Sequence, residues 1–531
     1  MPGLNVVLHV GGIFLGGQCV LRCCAPREDR VVYTVLEPQK IPKEVLYRLQ
    51  IIGKNLLMNN IYGYLTTFSL SLGTWNSGKQ ARTRPCRMPA LLGVLLCAAG
   101  LLAIPGKTQA AKPYPAGIID LPGKVTAKKP IGTITDHPWQ NVNVDGLRIR
   151  IGWSELETAD NVYNWPLIDD CLALARTSGK FIGLGVAGGL SAPPWLMGGV
   201  TFADGSTTLN VATLTSQTAN AFLASDVGRV IVCDNFPPGT TIVSRTSGTV
   251  VQTSAAATKT ATTRKPVAFS ILARNPGGAQ FRVLTAPDQG VMVVPWDPIA
   301  KAKWKEFVVA LGARYDRNPQ LGYLVMSGFQ QGFECYLAGV QADIDFFNAS
   351  AIRAGYTENE TLPAGLVAWE ASAQEIINQY MISFPRTPLI TTLARPYPEE
   401  EGGTLAMNDV VFWGIAEYPG RFGLMNSQLH ATSGIGYYAN ARIYENRLTE
   451  PTGIQFICDS STPDNVARLS NSPPYGDDPL LSPFNAVNTS FTAGINIGAR
   501  FIETYENDVI NPAYQTMLGI QRAALLEGPP P

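Results

Sequence analysis

The sequence predicts an α/β chain: a parallel (β/α)8 barrel of the TIM type, with a small all-β module inserted after the third strand. Three observations lead there. Apolar runs of strand length alternate with amphipathic runs of helix length from residue 116 to residue 526, and eight strands are counted. No Gly-x-Gly-x-x-Gly or Gly-x-x-x-x-Gly-Lys-Ser/Thr turn follows any of them, so an open nucleotide-binding sheet finds no support. One stretch, residues 200–273, breaks the rhythm with a Ser/Thr/Val-rich composition and repeated turns.

The first strand is read at residues 116–120. Gly146-Leu-Arg-Ile-Arg-Ile151 alternates apolar and cationic residues with period two, a strand with Arg148 and Arg150 on one face. In residues 166–178, Leu167, Cys171, Leu174 and Ala175 fall at helical spacing, and Gly179 ends that helix. Residues 181–186 form the third strand, running into Gly188-Gly189. Within 200–273, turns at Asp204-Gly205 and Pro237-Pro238-Gly239 separate short alternating runs near residues 230, 241 and 249. Residues 298–315 then place Ala300, Trp304, Phe307, Val308, Leu311 and Tyr315 on one helical face, and residues 321–326 are the fourth strand. The alternation continues as helix 369–384 and strand 388–393, helix 408–416 and strand 422–429, helix 436–448 and strand 453–458. Helix 491–498, strand 500–504 and a closing helix at 512–526 complete it.

Composition narrows the chemistry. At 531 residues, 46% hydrophobic and 15% charged, the chain is too long for one small domain and too apolar for disorder. Lys+Arg and Asp+Glu both number 41, so no basic field invites nucleic acid, which is not expected as a partner. His9, His137 and His430 are scattered and no Cys-x-x-Cys pair occurs, so neither a metal nor a cofactor is expected. Residues 1–87 hold 11 of the Lys/Arg and 4 of the Asp/Glu, and their basic surplus ends where Met88 offers a second start. Residues 91–104 have the length of a signal-peptide core, and Thr108-Gln109-Ala110 supplies small residues for cleavage. The expected division is an upstream extension (1–87), a signal peptide (88–110), barrel (111–199), β module (200–273) and the remaining barrel (274–531). The mature protein is expected to begin near Ala111, secreted or periplasmic, with no stable membrane span; an uncleaved N-terminal anchor is the other reading. Its cysteines Cys171, Cys233, Cys335 and Cys458 show no disulfide spacing, and Cys171 is expected to be a buried thiol.

Residues 146–169 carry a Trp-Ser-x-x-Glu segment after the second strand, then Tyr163-Asn-Trp165 and Leu167-Ile-Asp169. This run resembles the second βα unit of clan A glycoside hydrolases, above all the family 42 beta-galactosidases. The resemblance extends through residues 179–186 to Ala192-Pro-Pro-Trp-Leu196, and resumes at Val294-Pro-Trp-Asp297 and residues 304–316. Beyond residue 340 it is one of strand–helix rhythm. The inserted stretch, with Ser216-Gln-Thr-Ala-Asn220, Asp226-Val-Gly-Arg229 and Pro238-Gly-Thr-Thr-Ile-Val243, is similar to modules of phage tail and surface polysaccharide-associated proteins. The barrel resemblance implies a carbohydrate substrate and O-glycosidic bond cleavage. Departures accompany it. Clan A enzymes place Asn-Glu after the fourth strand, whereas this chain has Met326-Ser-Gly-Phe-Gln-Gln-Gly-Phe-Glu334; where they end the seventh strand in a glutamate, it has Ile457-Cys458-Asp459.

Glycosidic cleavage needs two carboxyl groups across the bond, and a barrel presents them at the C-terminal ends of its strands. Glu334, Glu503, Asp459 and Glu155 meet that placement. Glu334 sits among Gly328, Phe329, Gly332 and Phe333, a setting that partly desolvates an acid, and is assigned as acid/base. Glu503 is the first candidate nucleophile and Asp459 the second; a buried partner of Arg148 or Arg150 is the structural reading of Glu503. Arg150 is expected to hold a carboxylate ionised or to bind substrate. Trp153 and Trp195 are expected to stack on a sugar, with Trp139, Trp296 and Trp413 as weaker cases. Gln428 and His430 are expected to bind sugar hydroxyls. A carbohydrate-binding or surface structural protein on a degenerate barrel is the competing class.

Overall fold

The computed structural model describes residues 111–471 and 481–530, together with the backbone of an antiparallel strand pair, Val20–Cys23 and Val32–Val35. That pair belongs to one compact unit, Met1–Ile104, and the barrel to another, Pro105–Pro531. The expected signal peptide and the rest of the upstream extension lie outside the described residues.

Eight strands close a parallel barrel: β1 (Gly117–Leu121), β2 (Gly146–Gly152), β3 (Phe181–Ala187), β4 (Leu321–Val325), β5 (Leu389–Thr392), β6 (Phe422–Leu429), β7 (Thr452–Phe456) and β8 (Phe501–Tyr505). β8 pairs with β1 over Phe501–Tyr505 and Gly117–Leu121, so first and last strands seal the ring. Ile119, Tyr323, Val325, Ile390, Met425 and Phe501 fill its interior. The motif Phe181-Ile-Gly-Leu-Gly of β3 makes room for them. A Cβ at Gly183 would lie 2.0 Å from the Tyr323 ring, and one at Gly185 would lie 2.6 Å from Arg148 Nη2. Glycine there is a packing requirement, because a bulky interior residue fills each place.

The helices form the outer layer: α1 (Pro166–Ser178), α2 (Pro298–Tyr315), α3 (Gln341–Arg353), α4 (Ala364–Ser383), α5 (Gly403–Glu417), α6 (Tyr438–Asn446), α7 (Pro463–Ser470), α8 (Pro483–Ile497) and α9 (Gln515–Glu527). α1 stops where Gly179 turns left-handed at φ 68°. α2 starts on Asp297, whose carboxylate accepts from the N–H groups of Ile299 and Ala300. Two helices, α3 and α7, are additional to those expected, and α8 begins eight residues earlier than residue 491. Between β1 and β2 stand two 3-10 turns, Ile131–Thr133 and Pro138–Gln140, where Pro130 and Pro138 oppose a longer helix.

After β3 the chain leaves the C-terminal face and builds a six-stranded antiparallel sheet. Its order is Ile231–Cys233, Val267–Ile271, Val200–Thr207, Thr213–Ser216, Val250–Thr253, Ile242–Ser247. This sheet has its own core, in which Phe202 and Phe222 stack on Phe269 at 5.1 and 5.5 Å. A hairpin, Phe281–Leu284 with Gly290–Val293, then leads into α2.

Candidate active site

Glu334 lies nine residues beyond the end of β4, yet it remains on the C-terminal face because the intervening loop is tied down. Gln330 Nε2 donates to the carbonyls of Met326 (3.1 Å) and Phe333 (3.2 Å), while Gln331 Nε2 donates to that of Leu337 (2.9 Å). Gly328 takes φ 104°, and a Cβ there would meet Trp304 Nε1 at 2.1 Å, so only glycine allows this approach. Glu334 then bridges Thr392 in parallel, and Cys335 N–H donates to the Thr392 carbonyl at 3.0 Å. The effect is to lay Glu334 against the end of β5. Its Oε1 accepts from the Ser427 hydroxyl of β6 at 2.9 Å, and the residue is half-buried.

Glu503 lies deeper. Its Oε1 accepts from the Tyr323 hydroxyl at 2.5 Å and stands 3.7 Å from Arg148 Nε, with all three side chains buried. Burial, and next the charge of Glu503, push the Tyr323 hydroxyl well above its ordinary pKa, so it keeps the proton it donates. Arg148 in turn lies over the Phe333 ring, 5.2 Å from its centre. Arg148 Nε and Nη1 and Glu503 Oε2 have no hydrogen-bond partner among the described residues. The ion-pair partner of Glu503 is thus Arg148. Arg150 instead donates through Nη2 to the Pro122 carbonyl at 3.2 Å. Burial lowers the Arg150 pKa, Arg148 adds to that, and the opposing fields of Tyr505, Glu503 and Glu334 all reach it. An arginine remains charged through such a shift. The fields of both carboxylates reach Arg150, although Glu503 is fully buried and Glu334 only half-buried.

The other expected residues divide. Asp459 Oδ1 accepts from Ser461 N–H (3.1 Å), the Ser461 hydroxyl (2.6 Å) and Asn465 Nδ2 (2.6 Å), and its Oδ2 from Asn507 Nδ2 (2.7 Å). Burial works to raise its pKa, but these hydrogen bonds outweigh it and hold the carboxyl below the usual value. Asp459 is committed to shaping the loop after β7. Glu155 is held similarly, accepting from Ala127 N–H at 2.9 Å. Trp153 corrects the expectation of sugar stacking: it is 1% exposed, packs edge-on against Trp304 at 4.8 Å, and donates to Glu157 Oε2 at 2.7 Å. A ring so enclosed is packing. Trp195 is half-buried on the same cluster, its indole N–H on the Glu157 carbonyl at 3.1 Å. Trp139 and Trp296 are buried, and Trp413 is half-buried against Tyr418. Gln428 is exposed just past Ser427, and His430 is half-buried, its pKa lowered by burial.

Sequence reasoning missed Tyr323, Ser427 and Asp120. Asp120 is fully buried at the end of β1 with neither oxygen partnered among the described residues. Burial first, then Glu506, raises its pKa well above the usual value, against the opposing charge of Arg150. A carboxylate inside the apolar run Gly-Ile-Ile-Asp-Leu was the available signal. Among the described residues Cys171, Cys233, Cys335 and Cys458 are free, and burial pushes the Cys171 thiol up to about 12, which makes it an inert core residue. Among the described residues no group of acidic, His and Cys side chains is arranged to hold a metal, and no helix is long and apolar enough to cross a membrane.

No protein-family description matches the chain, and no curated protein sequence does. Solved structures with a similar chain path include a beta-galactosidase from the psychrophilic Marinomonas ef1. It is 10% identical at TM-score 0.34, over 72% of this chain and 53% of that one. The catalytic domain of beta-amylase from Paenibacillus polymyxa is 9% identical at TM-score 0.38, over 79% and 100%. A pyruvate kinase from Cryptosporidium parvum is 8% identical at TM-score 0.28, over 79% and 71%. The chain thus spans about half the length of the beta-galactosidase. At these values the neighbours carry no argument about the chemistry of the mouth.

Proposed function

We propose that the chain is a glycoside hydrolase, secreted or periplasmic, that cleaves O-glycosidic bonds with retention. The observation that supports this reading is that Glu334, laid against the end of β5, and Glu503, within β8, both act on Arg150. Glu334 protonates the departing glycosidic oxygen while Glu503 attacks the anomeric carbon, forming a glycosyl ester. Glu334, now a carboxylate, takes a proton from the water that cleaves the ester and regenerates both groups. Arg148 and the Tyr323 hydroxyl fix the position of the Glu503 carboxyl, which a nucleophile requires. The unpartnered Arg148 donors suit the hydroxyl groups of a bound sugar. Glu503 has no exposure in this conformation, so attack also requires the side chains around it to open.

The test is hydrolysis of a panel of aryl glycosides and natural glycans by the wild type, Glu334→Gln and Glu503→Gln. Glu334→Gln should lose about 10²–10⁴-fold on natural glycans and much less on activated aryl glycosides, whose leaving groups need little protonation. Glu503→Gln should lose both, with azide restoring turnover of the aryl substrate. Glycan binding with no turnover by the wild type would instead leave a carbohydrate-binding protein.

A further inference from the structure

Strand β6 ends Asn426-Ser427-Gln428-Leu429, and its two middle side chains serve different places. Ser427 donates to Glu334 at 2.9 Å. Gln428 is exposed, and there a pocket of about 490 Å³ opens, lined by Gln428, His430, Thr432, Ser433, Tyr437 and Asn440 with two glycines. None of these side chains bears a charge at neutral pH, since burial lowers the His430 pKa further below 6.5. Arg395 is engaged nearby, stacked 4.4 Å over the Tyr438 ring and paired with Glu399 at 2.9 Å.

The pocket wall is fixed by its own hydrogen bonds. His430 N–H donates to the Ser433 hydroxyl at 3.0 Å, Asn440 Nδ2 to the Gly434 carbonyl at 3.0 Å, and buried Asn426 Nδ2 to Asn440 Oδ1 at 2.7 Å. The Tyr437 hydroxyl donates to Gln428 Oε1 at 3.1 Å, which orients the amide and leaves its N–H donors unspent. His430 Nδ1 faces the Thr432 hydroxyl at 3.1 Å, leaving Nε2 for another partner. Tyr437 itself is 37% exposed, its ring 4.4 Å from that of Tyr438. An exposed aromatic ring, a set of uncharged donors and acceptors, and a rigid wall together form a recognisable chemistry.

We infer that this pocket, one residue along β6 from the Ser427 that bonds Glu334, is a glycosyl subsite that takes an uncharged pyranose and rejects a uronate. The C–H face of the sugar packs on Tyr437, while Gln428, His430 and the loop hydroxyls bond its hydroxyl groups. A sugar carboxylate would be desolvated there without a cation, which costs binding energy. The role of Glu334 as neighbour to the cleaved bond rests on the hydrolase reading; the binding itself does not.

Calorimetric titration of the full chain carrying Glu334→Gln, which slows turnover of natural glycans, tests this. The probes are β-1,4-linked gluco-, manno- and galactotetraose, each beside the same tetramer oxidised at C6 to the uronate. At least one neutral tetramer should bind, its uronate about tenfold or more weaker; Tyr437→Ala should weaken the neutral ligand by about tenfold, whereas Tyr437→Phe keeps most of the affinity. Equal or tighter uronate binding, no effect of Tyr437→Ala, or no neutral binding at all overturns the inference. Binding as described in a wild type that never hydrolyses would sink the hydrolase reading alone. Loss of binding beside intact aryl glycosidase activity would sink this one alone.

Discussion

Arg148 is the only cation in salt-bridge range of Glu503 among the described residues, and both side chains are buried. Arg148→Met should therefore destabilise the barrel by about 3–5 kcal/mol, because it leaves a buried carboxylate uncompensated. Adding Glu503→Gln to that variant should restore much of the loss, as denaturant melts of the single and double variants would show. Failure of the second change to rescue would mean that Arg148 acts through packing on Phe333 rather than through charge. Asp508 offers a test with the opposite sign. Burial raises its carboxyl from 3.8 to about 6, although Ser460 donates to it through both its N–H (3.1 Å) and its hydroxyl (2.5 Å). A raised carboxyl pKa means that the folded state holds a proton the unfolded chain releases, so stability falls as pH rises from about 4 to 6. Asp508→Asn should flatten that part of the profile and be the more stable protein at pH 7, read by melting temperature across pH 4–8. At this scale the sequence was only partly legible. Arg148 and Arg150 could be placed on one strand face from their period, but which of them meets Glu503 depends on depth in the barrel, which period does not encode.

The elements carry their signals unevenly. All eight strands stand within a few residues of where apolar runs predict them, because a buried parallel strand has few ways to look different. The helices fared less well. α7 and the first two turns of α8 escape the apolar pattern, although Thr462-Pro463 and Ser482-Pro483 each place a capping hydroxyl before a proline at the first helical position. α3 begins on Val340 with no capping side chain, so it offered only Ile344, Phe347 and Ala351 as a sparse apolar stripe. Glu334 could be named from sequence, but the two glutamines that return it to the β5 edge act through backbone carbonyls and leave no pattern. The inserted sheet is the element most open to test. Its Ile231–Cys233 strand and the Phe236–Gly239 turn face Leu190–Pro194 of the barrel across a groove of about 500 Å³. Because the module has its own core, replacing residues 200–273 with a short Gly/Ser linker should leave a folded barrel. Turnover of a small aryl glycoside should stay near wild type, while binding of a polymeric glycan should weaken, which a pull-down on insoluble polysaccharide would measure. Unchanged polymer binding would remove the groove from substrate recognition. Gly183→Ala should be far worse for the fold than that large deletion, since its Cβ enters the Tyr323 ring space.

For the whole molecule, the question is which part of the chain makes the barrel. Closure depends on β1 meeting β8 along five residue pairs, and Lys112 reinforces the ring by donating to the Leu321 carbonyl and the Thr387 hydroxyl, both at 2.8 Å. Burial lowers the Lys112 ammonium to about 8 despite the nearby charge of Asp316, so this anchor is formed at some electrostatic cost. Every strand of the ring falls between Gly117 and Tyr505, and the described helices that cover it end at Glu527. A chain starting at Ala111 should therefore fold alone and melt within about 2 °C of the full-length protein, whereas one starting at Gly117 lacks Lys112 and should melt several degrees lower. The basic surplus of residues 1–87 and the apolar stretch from Met88 add a second expectation, that an exporting host removes everything before about Ala111. N-terminal sequencing of the exported protein reads this directly. A mature protein that still begins at Met1, or an Ala111 chain that does not fold, would show that the first unit has a structural task in the working molecule.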